Sequence, residues 1–246
     1  EGTVIDTADG KILGVLGDSG TMSLYIANGG LRGAALETAI GTPESRGSRL
    51  IAAVDADEIW DAMVDHARDI ADTQYRYVAY GLPSSPVSTL NSTSFITSVM
   101  YAAGLDILDN FPYRIGSSPG YTTLLGGYEN ETLVIADQFN ALYGGWGDDS
   151  LYGADNNEVD RLYGGGGNDL FYWSHGIDYV HGGDPSLPYD EDGTDALSFA
   201  GAGIVLIEYV PHNVPHYTPQ FIATHDHGIA WMFSIEYVRG DDHSDT

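Results

Sequence analysis

The 246 residues predict a mainly β chain that opens with an α+β region. Three patterns carry that expectation. Residues 55–74 have the 3.6-residue apolar period of a helix. Residues 126–199 are built on a nine-residue, glycine-rich repeat. Short β-branched and aromatic runs follow as far as Arg239.

The elements follow in chain order. Lys11–Leu16 and Thr21–Ala27 read as strands rich in Ile, Val, Leu and Tyr, and Asn28-Gly29-Gly30 reads as a turn. Leu50–Val54 reads as a third strand. Asp55–Gln74 is a helix with Ile59, Trp60, Met63, Val64, Ala67, Ile70 and Ala71 on one face, and Asp55 with Glu58 resembles a capping box. Residues 81–94 are loop-like, with Pro83 and Pro86. A second helix is expected over Ser92–Ala103, its apolar face Phe95, Ile96, Val99, Met100 and Ala103 and its stop Gly104. Strands are expected around Ile204–Tyr209 and Ile229–Phe233. The domains expected are 1–122 (α+β), 123–199 (the repeat) and 200–246 (a β flank or cap).

Charge sets the repeat apart. The chain carries 36 acids and 9 bases, net −27, and residues 126–199 hold 15 of the acids against Arg161 alone. So negative a surface repels nucleic acid and anionic lipid and attracts cations. No apolar run approaches the ~18 residues of a membrane span. There is no Cys, which excludes disulfides and thiol chemistry. No early segment has the form of a signal peptide, and the start at Glu1 reads as a fragment or a processed chain.

Within the repeat, Gly144-Gly145-Trp146-Gly147-Asp148-Asp149-Ser150-Leu151-Tyr152 fits G-G-x-G-x-D-x-U-x at every fixed position, U being a large apolar residue. Gly164-Gly165-Gly166-Gly167-Asn168-Asp169-Leu170-Phe171-Tyr172 fits it again. Gly126–Val134 carries Glu131 in place of Asp. Ile135–Tyr143 keeps the length and Leu142. Gly153–Tyr163 has two extra residues and recovers the register at Asp160-Arg161-Leu162. Trp173–His181 keeps Gly176, Asp178 and Val180. Gly193-Thr194-Asp195-Ala196-Leu197 resumes after an insertion at 184–192.

These nonamers resemble the RTX (repeat-in-toxin, hemolysin-type) family of calcium-binding parallel β-rolls. The resemblance implies that the last three residues of a nonamer form a short strand with U inward and that the first six form a turn. Two nonamers then make one coil, so turns on one edge recur every 18 residues. Glu131 and Asp149 are 18 apart, Asp149 and Asp169 are 20, and Asp169 and Asp195 are 26, the excess matching the insertions. Asp160 and Asp178, 18 apart, fall on the opposite edge. The expected metal residues are Glu131, Gly145, Gly147, Asp149, Asp160, Gly165, Gly167, Asp169, Gly176, Asp178, Gly193 and Asp195. Hard oxygen ligands at six or more positions favour several Ca²⁺ ions over Mg²⁺, and ion binding would be coupled to folding. The resemblance further implies type I secretion and folding outside the cell. Tyr152, Tyr163 and Tyr172 close their nonamers and are expected on the roll surface. Ile235-Glu236-Tyr237-Val238-Arg239-Gly240 resembles the family segment that closes a β flank and opens further repeats, which are expected beyond this chain.

Other chemistry is weighed against this. His212, His216, His225 and His227 are read either as loop histidines or as a transition-metal site, with His225 and His227 on one strand face. Asn91-Ser92-Thr93-Ser94-Phe95-Ile96 running into Tyr101-Ala102-Ala103-Gly104 resembles the nucleophile helix of permuted papain-like (NlpC/P60, lecithin-retinol-acyltransferase-like) proteins, with Ser92 where Cys is usual. The matching strand, Thr21–Ile26, holds no His, and His66 is the sole His in residues 1–125. The enzymatic alternative is therefore a serine hydrolase or acyltransferase with Ser92 as nucleophile and His66 as base. Against it, Ser92 and Ser94 read as helix caps and His66 as an exposed helix residue. Neither H-E-x-x-H nor G-x-S-x-G occurs. The leading expectation is a calcium-binding roll carrying a module that recognises a protein or a carbohydrate.

Overall fold

The computed structural model describes residues 56–78, 89–105, 120–136, 139–184, 193–210 and 220–240, and three earlier strands as backbone. Those strands, β1 (Val4–Asp6), β2 (Ile12–Gly17) and β3 (Met22–Ala27), form an antiparallel sheet in that order. β1 is additional to the two strands expected. The strand expected at Leu50–Val54, the cap Asp55 and the turn at 28–30 lie outside the described residues.

Both expected helices form: α1 (Ala56–Thr73) and α2 (Ser92–Ala102). Each shows why it stays helical. On α1, Met63, Val64, Ala67 and Ile70 are buried and the residues between them are polar or charged. α2 starts at Asn91, whose Oδ1 accepts from the backbone N–H groups of Thr93 and Ser94 while Ser94 Oγ accepts from the Asn91 N–H. This corrects the expected cap. Asn91 is the cap, Ser94 completes the box and Ser92 is the first helical residue. Gly104, at φ +72°, ends the helix as expected.

From Thr123 onward the described chain is β. It passes alternately between two sheets. The first has β4 (Thr123–Leu125), β6 (Ala141–Trp146), β8 (Val159–Gly166), β10 (Gly176–His181) and β14 (Gly228–Phe233) side by side and parallel. The second has β5 (Thr132–Val134), β7 (Ser150–Tyr152), β9 (Leu170–Tyr172), β11 (Ala196–Ser198) and β15 (Tyr237–Arg239), all parallel. The pairings 132↔150, 150↔170 and 170↔196 reproduce the intervals of 18, 20 and 26 read from the repeat.

Register fixes the core. Leu124, Leu142, Leu162, Val180 and Met232 are successive partners in the first sheet. Leu133, Leu151, Phe171 and Leu197 are successive partners in the second. Both rows point into one apolar interior. On the outer face of the first sheet Tyr143, Tyr163, His181 and Phe233 stack with centroids 4.3, 4.8 and 4.2 Å apart. Tyr143 and Tyr163 share a second core with the apolar faces of α1 and α2. Tyr163 is therefore fully buried, contrary to the surface position expected from its place at the end of a nonamer. Tyr152 and Tyr172, stacked at 4.0 Å, are half-buried on the outer face of the other sheet.

The expected flank is continuous with the repeat. β14 pairs with β10 and β15 with β11, so residues 228–239 add one more layer to both sheets. The interruption is an antiparallel pair, β12 (Leu206–Tyr209) and β13 (Phe221–His225), that extends the first sheet outward from β14. No helix among the described residues is long and apolar enough to cross a membrane.

Candidate metal centres in the turns

The turns of the two fully matching nonamers stand on glycine. Gly145, Gly147, Gly165 and Gly167 have φ between +106° and +124°, a region closed to most L-residues. At Gly165 a Cβ would also run into the Gly145 carbonyl of the layer below. Gly176 shares the positive φ, at +108°. Gly193 does not, and it lies flat against the Gly167 carbonyl.

These turns set one carboxylate per layer. The Glu131 N–H donates to Asp149 Oδ1 at 2.7 Å, Asp149 N–H to Asp169 Oδ1 at 2.8 Å, and Asp169 N–H to Asp195 Oδ1 at 2.8 Å. The Asp195 N–H then donates to Glu236 Oε2 at 2.8 Å. Four of these acids were expected in one column. Glu236 is a fifth that the repeat arithmetic missed, since it lies 41 residues beyond Asp195 and the β12–β13 pair intervenes. Its signal was the Ile-Glu-Tyr-Val strand itself, with Glu one residue before the strand as Asp195 is before β11.

Beside the acids runs a second ladder that the sequence reading did not foresee. Asp148 N–H donates to Asn130 Oδ1, Asn168 N–H to Asp148 Oδ1 and Thr194 N–H to Asn168 Oδ1, at 2.7–3.0 Å. The residue before each acid therefore also ties one layer to the next.

The opposite edge is shorter. Asp160 and Asp178 are register partners, and the next partner is Ala230, so this column has two acids. Asp178 Oδ2 accepts from Ser174 Oγ at 2.8 Å, and Asp160 Oδ2 accepts from the Ala154 N–H at 2.8 Å.

The electrostatics of the columns follow from burial. Asp149, Asp160, Asp169, Asp178 and Asp195 are all buried. Parallel strands place neighbouring layers about 4.8 Å apart. At an effective dielectric of about 20, two charges at that distance repel by roughly 3 kcal/mol. Burial, and then the neighbouring Asp169 and Glu131, push the Asp149 carboxyl up to about 8. Burial pushes Glu131 and Asp178 to about 7. Asp149 Oδ2 and Asp178 Oδ1 are buried and have no hydrogen-bond partner among the described residues. Protons or cations must offset such a column, and carboxylates beside turn carbonyls are hard oxygen donors.

Above the first turn, α1 brings down His66 and Asp69. His66 is half-buried, not exposed as expected. Its Nε2 lies 3.0 Å from the Leu125 carbonyl and its Nδ1 3.8 Å from Glu131 Oε1. Burial lowers its pKa, with the Leu125 carbonyl and Asp69 opposing. Tyr75 is buried beside them, its hydroxyl 3.3 Å from the Gly126 carbonyl, and burial with the charges of Asp184, Glu131 and Asp149 raises its pKa.

Ser98 of α2 meets this region. Its Oγ accepts from the Leu125 N–H at 2.8 Å and donates to the Ser94 carbonyl at 2.7 Å. Ser92 lies six residues earlier on α2, about 9 Å along the axis.

The histidines are arranged otherwise than expected. His225 ends β13 and His227 lies in the turn before β14, so they are not two alternate residues of one strand. His175, which sequence reasoning passed over, contacts Asp155 and lies 4.5 Å from the His227 ring, and all three rings surround Trp173. His212 and His216 lie outside the described residues.

Fold and site together define the class: a two-sheet parallel stack whose turns carry a column of carboxylates, buried at Asp149, Asp169 and Asp195. No family model, curated protein or solved structure matches the chain.

Proposed function

We propose that the chain is a calcium-binding protein of the RTX β-roll kind, whose turns take up several Ca²⁺ ions and whose roll folds as they bind. The observation that carries this reading is the column Glu131, Asp149, Asp169, Asp195 and Glu236, one carboxylate per layer, with the turns before Asp149 and Asp169 built on positive-φ glycines. Such a column repels itself until cations enter it, so ion binding and folding become one free energy. In a calcium-poor compartment the roll stays open. In calcium-rich extracellular fluid it closes, which fits export as an unfolded chain and folding outside the cell. The helices, packed on the outer face of the first sheet, then form the platform of a module for a protein or carbohydrate partner.

The test is a Ca²⁺ titration of the chelator-treated chain, followed by far-UV circular dichroism and thermal melting, with Mg²⁺ as control. The expected result is a gain of β signal and a rise in melting temperature of more than 10 °C that Mg²⁺ does not reproduce. A fold and melting temperature indifferent to Ca²⁺, in protein shown metal-free by elemental analysis, would overturn the reading.

A further inference from the structure

Three metal-binding side chains converge where α1 meets the first turn. His66 and Asp69, three residues apart on α1, face Glu131, and one ligand atom from each lies within 4.8 Å of the other two. Among the described residues this is the one group of three or more such side chains that converges in this way.

The backbone of residues 125–128 orients all three. The Leu125 carbonyl can only accept, so His66 Nε2, 3.0 Å away, carries the proton and Nδ1 presents its lone pair. Asp69 Oδ1 accepts from the Tyr128 N–H at 2.8 Å, and Glu131 Oε2 accepts from the Gly127 N–H at 2.7 Å. Each side chain thus spends one atom on the backbone and keeps one for the interior of the group. His66 Nδ1 and Glu131 Oε1 face each other at 3.8 Å as two acceptors. That separation is too long for a hydrogen bond, and it is close to the roughly 3.4 Å between two ligands of a tetrahedral ion with bonds near 2.1 Å. A ring nitrogen held by a carbonyl on its far side is the usual support of a metal-bound histidine.

We propose that His66, Asp69 and Glu131 bind one borderline divalent metal ion, Zn²⁺ in the first instance, fastening α1 to the first turn of the stack. The imidazole separates this ion from those of the acidic column, because Ca²⁺ takes oxygen ligands and Zn²⁺ takes nitrogen and oxygen together. A water would complete four ligands. Glu131 is common to both, so the site closes the end of the column, where no earlier layer stands among the described residues. The inference stands on the geometry of α1 and does not require that ions fill the other turns.

The test uses the full chain saturated with Ca²⁺ and then equilibrated with Zn²⁺, with bound zinc counted after dialysis. The parent protein is expected to retain one Zn²⁺ whose affinity falls at least tenfold in His66→Gln and in Asp69→Asn, with the Ca²⁺ response unchanged. The double variant His225→Gln/His227→Gln is expected to retain that ion. Circular dichroism checks each fold. Co²⁺ added to the unaltered protein gives a reading that needs no variant, a visible d–d spectrum with paramagnetic shifts on the His66 ring. Zinc retention that survives His66→Gln, zinc lost only from the His225/His227 variant, or no zinc and no His66 shift in the parent protein would each overturn the proposal.

Discussion

Asp149 shows the chemistry at its smallest scale. One oxygen holds the Glu131 N–H and the other is buried among acids and turn carbonyls, so the group is poorly suited to a negative charge. Its carboxyl is raised to about 8, and Glu131 and Asp178 to about 7, in each case chiefly by burial. An unfolded carboxyl titrates near 4. Between those values the folded chain binds more protons than the unfolded one, so without divalent ions these groups contribute stability that is complete below about pH 4 and lost as pH rises through 7 to 8. The melting temperature of metal-free protein is expected to fall from pH 4 to pH 8, and Asp149→Asn to flatten that slope. Saturating Ca²⁺ is expected to reverse it, since ions compete with protons for the same oxygens. A metal-free melting temperature that rises over this range would contradict the column's electrostatics. The acids of the repeat were legible once the family resemblance set two nonamers to a coil, because hydrogen-bonded layers make the intervals of 18, 20 and 26 residues meaningful. His66 and Asp69 were not. Asp61, Asp65 and Asp72 lie on the same helix, and nothing in the chain marks which acid meets the first turn.

At the scale of the element, β14 and β12 make a useful contrast. Both were expected as flank strands of similar composition. β14 lies between β10 and β13, with Ala230 and Met232 buried. β12 is the outermost strand of its sheet, and its four residues are exposed, Leu206 by 57%. Met232→Ala is expected to destabilise the protein by about 2–5 kcal/mol, and Leu206→Ala by no more than about 0.5 kcal/mol. Chemical denaturation of the two variants measures both, and equal effects would mean that β14 is not a layer of the stack. The strands themselves could be read from their apolar runs. Their partners could not, since a strand's text does not say whether it pairs with the previous strand, as β13 pairs with β12, or with one 52 residues earlier, as Gly228 pairs with Gly176. Tyr163 was misjudged for a related reason: its own nonamer places it on an outer face, and the cover comes from helices more than 60 residues upstream.

Across the whole molecule, stability is distributed by layer. In a stack each layer touches only its neighbours, so protection is expected to be greatest in the middle and least at the ends. Hydrogen exchange of the Ca²⁺-saturated protein is expected to protect the amides of β7, β8, β9 and β10 longest and to release β12 and β15 first. Uniform protection from β4 to β15 would instead mark a single cooperative block. The two halves of the chain meet through Tyr143 and Tyr163, which α1 and α2 cover, and Trp146 Nε1 adds a hydrogen bond to the Thr73 carbonyl at 3.3 Å. The composition gave notice of the layered half, through its glycines and its excess of acid. It gave none of this junction, because a sheet face that receives helices is written in the same Tyr and Leu as one that faces water.

The ladder of N–H groups onto carboxylates has a direction. Every donor in the acidic column belongs to an earlier layer and every acceptor to the layer after it, from Glu131 through to Glu236. In the ladder beside it the sense is reversed, since the Asp148, Asn168 and Thr194 N–H groups donate back to the layer before. A coil laid down from either end therefore offers the next one both a donor and an acceptor. The stack has no preferred direction of growth written into these bonds, and either end can template the following coil.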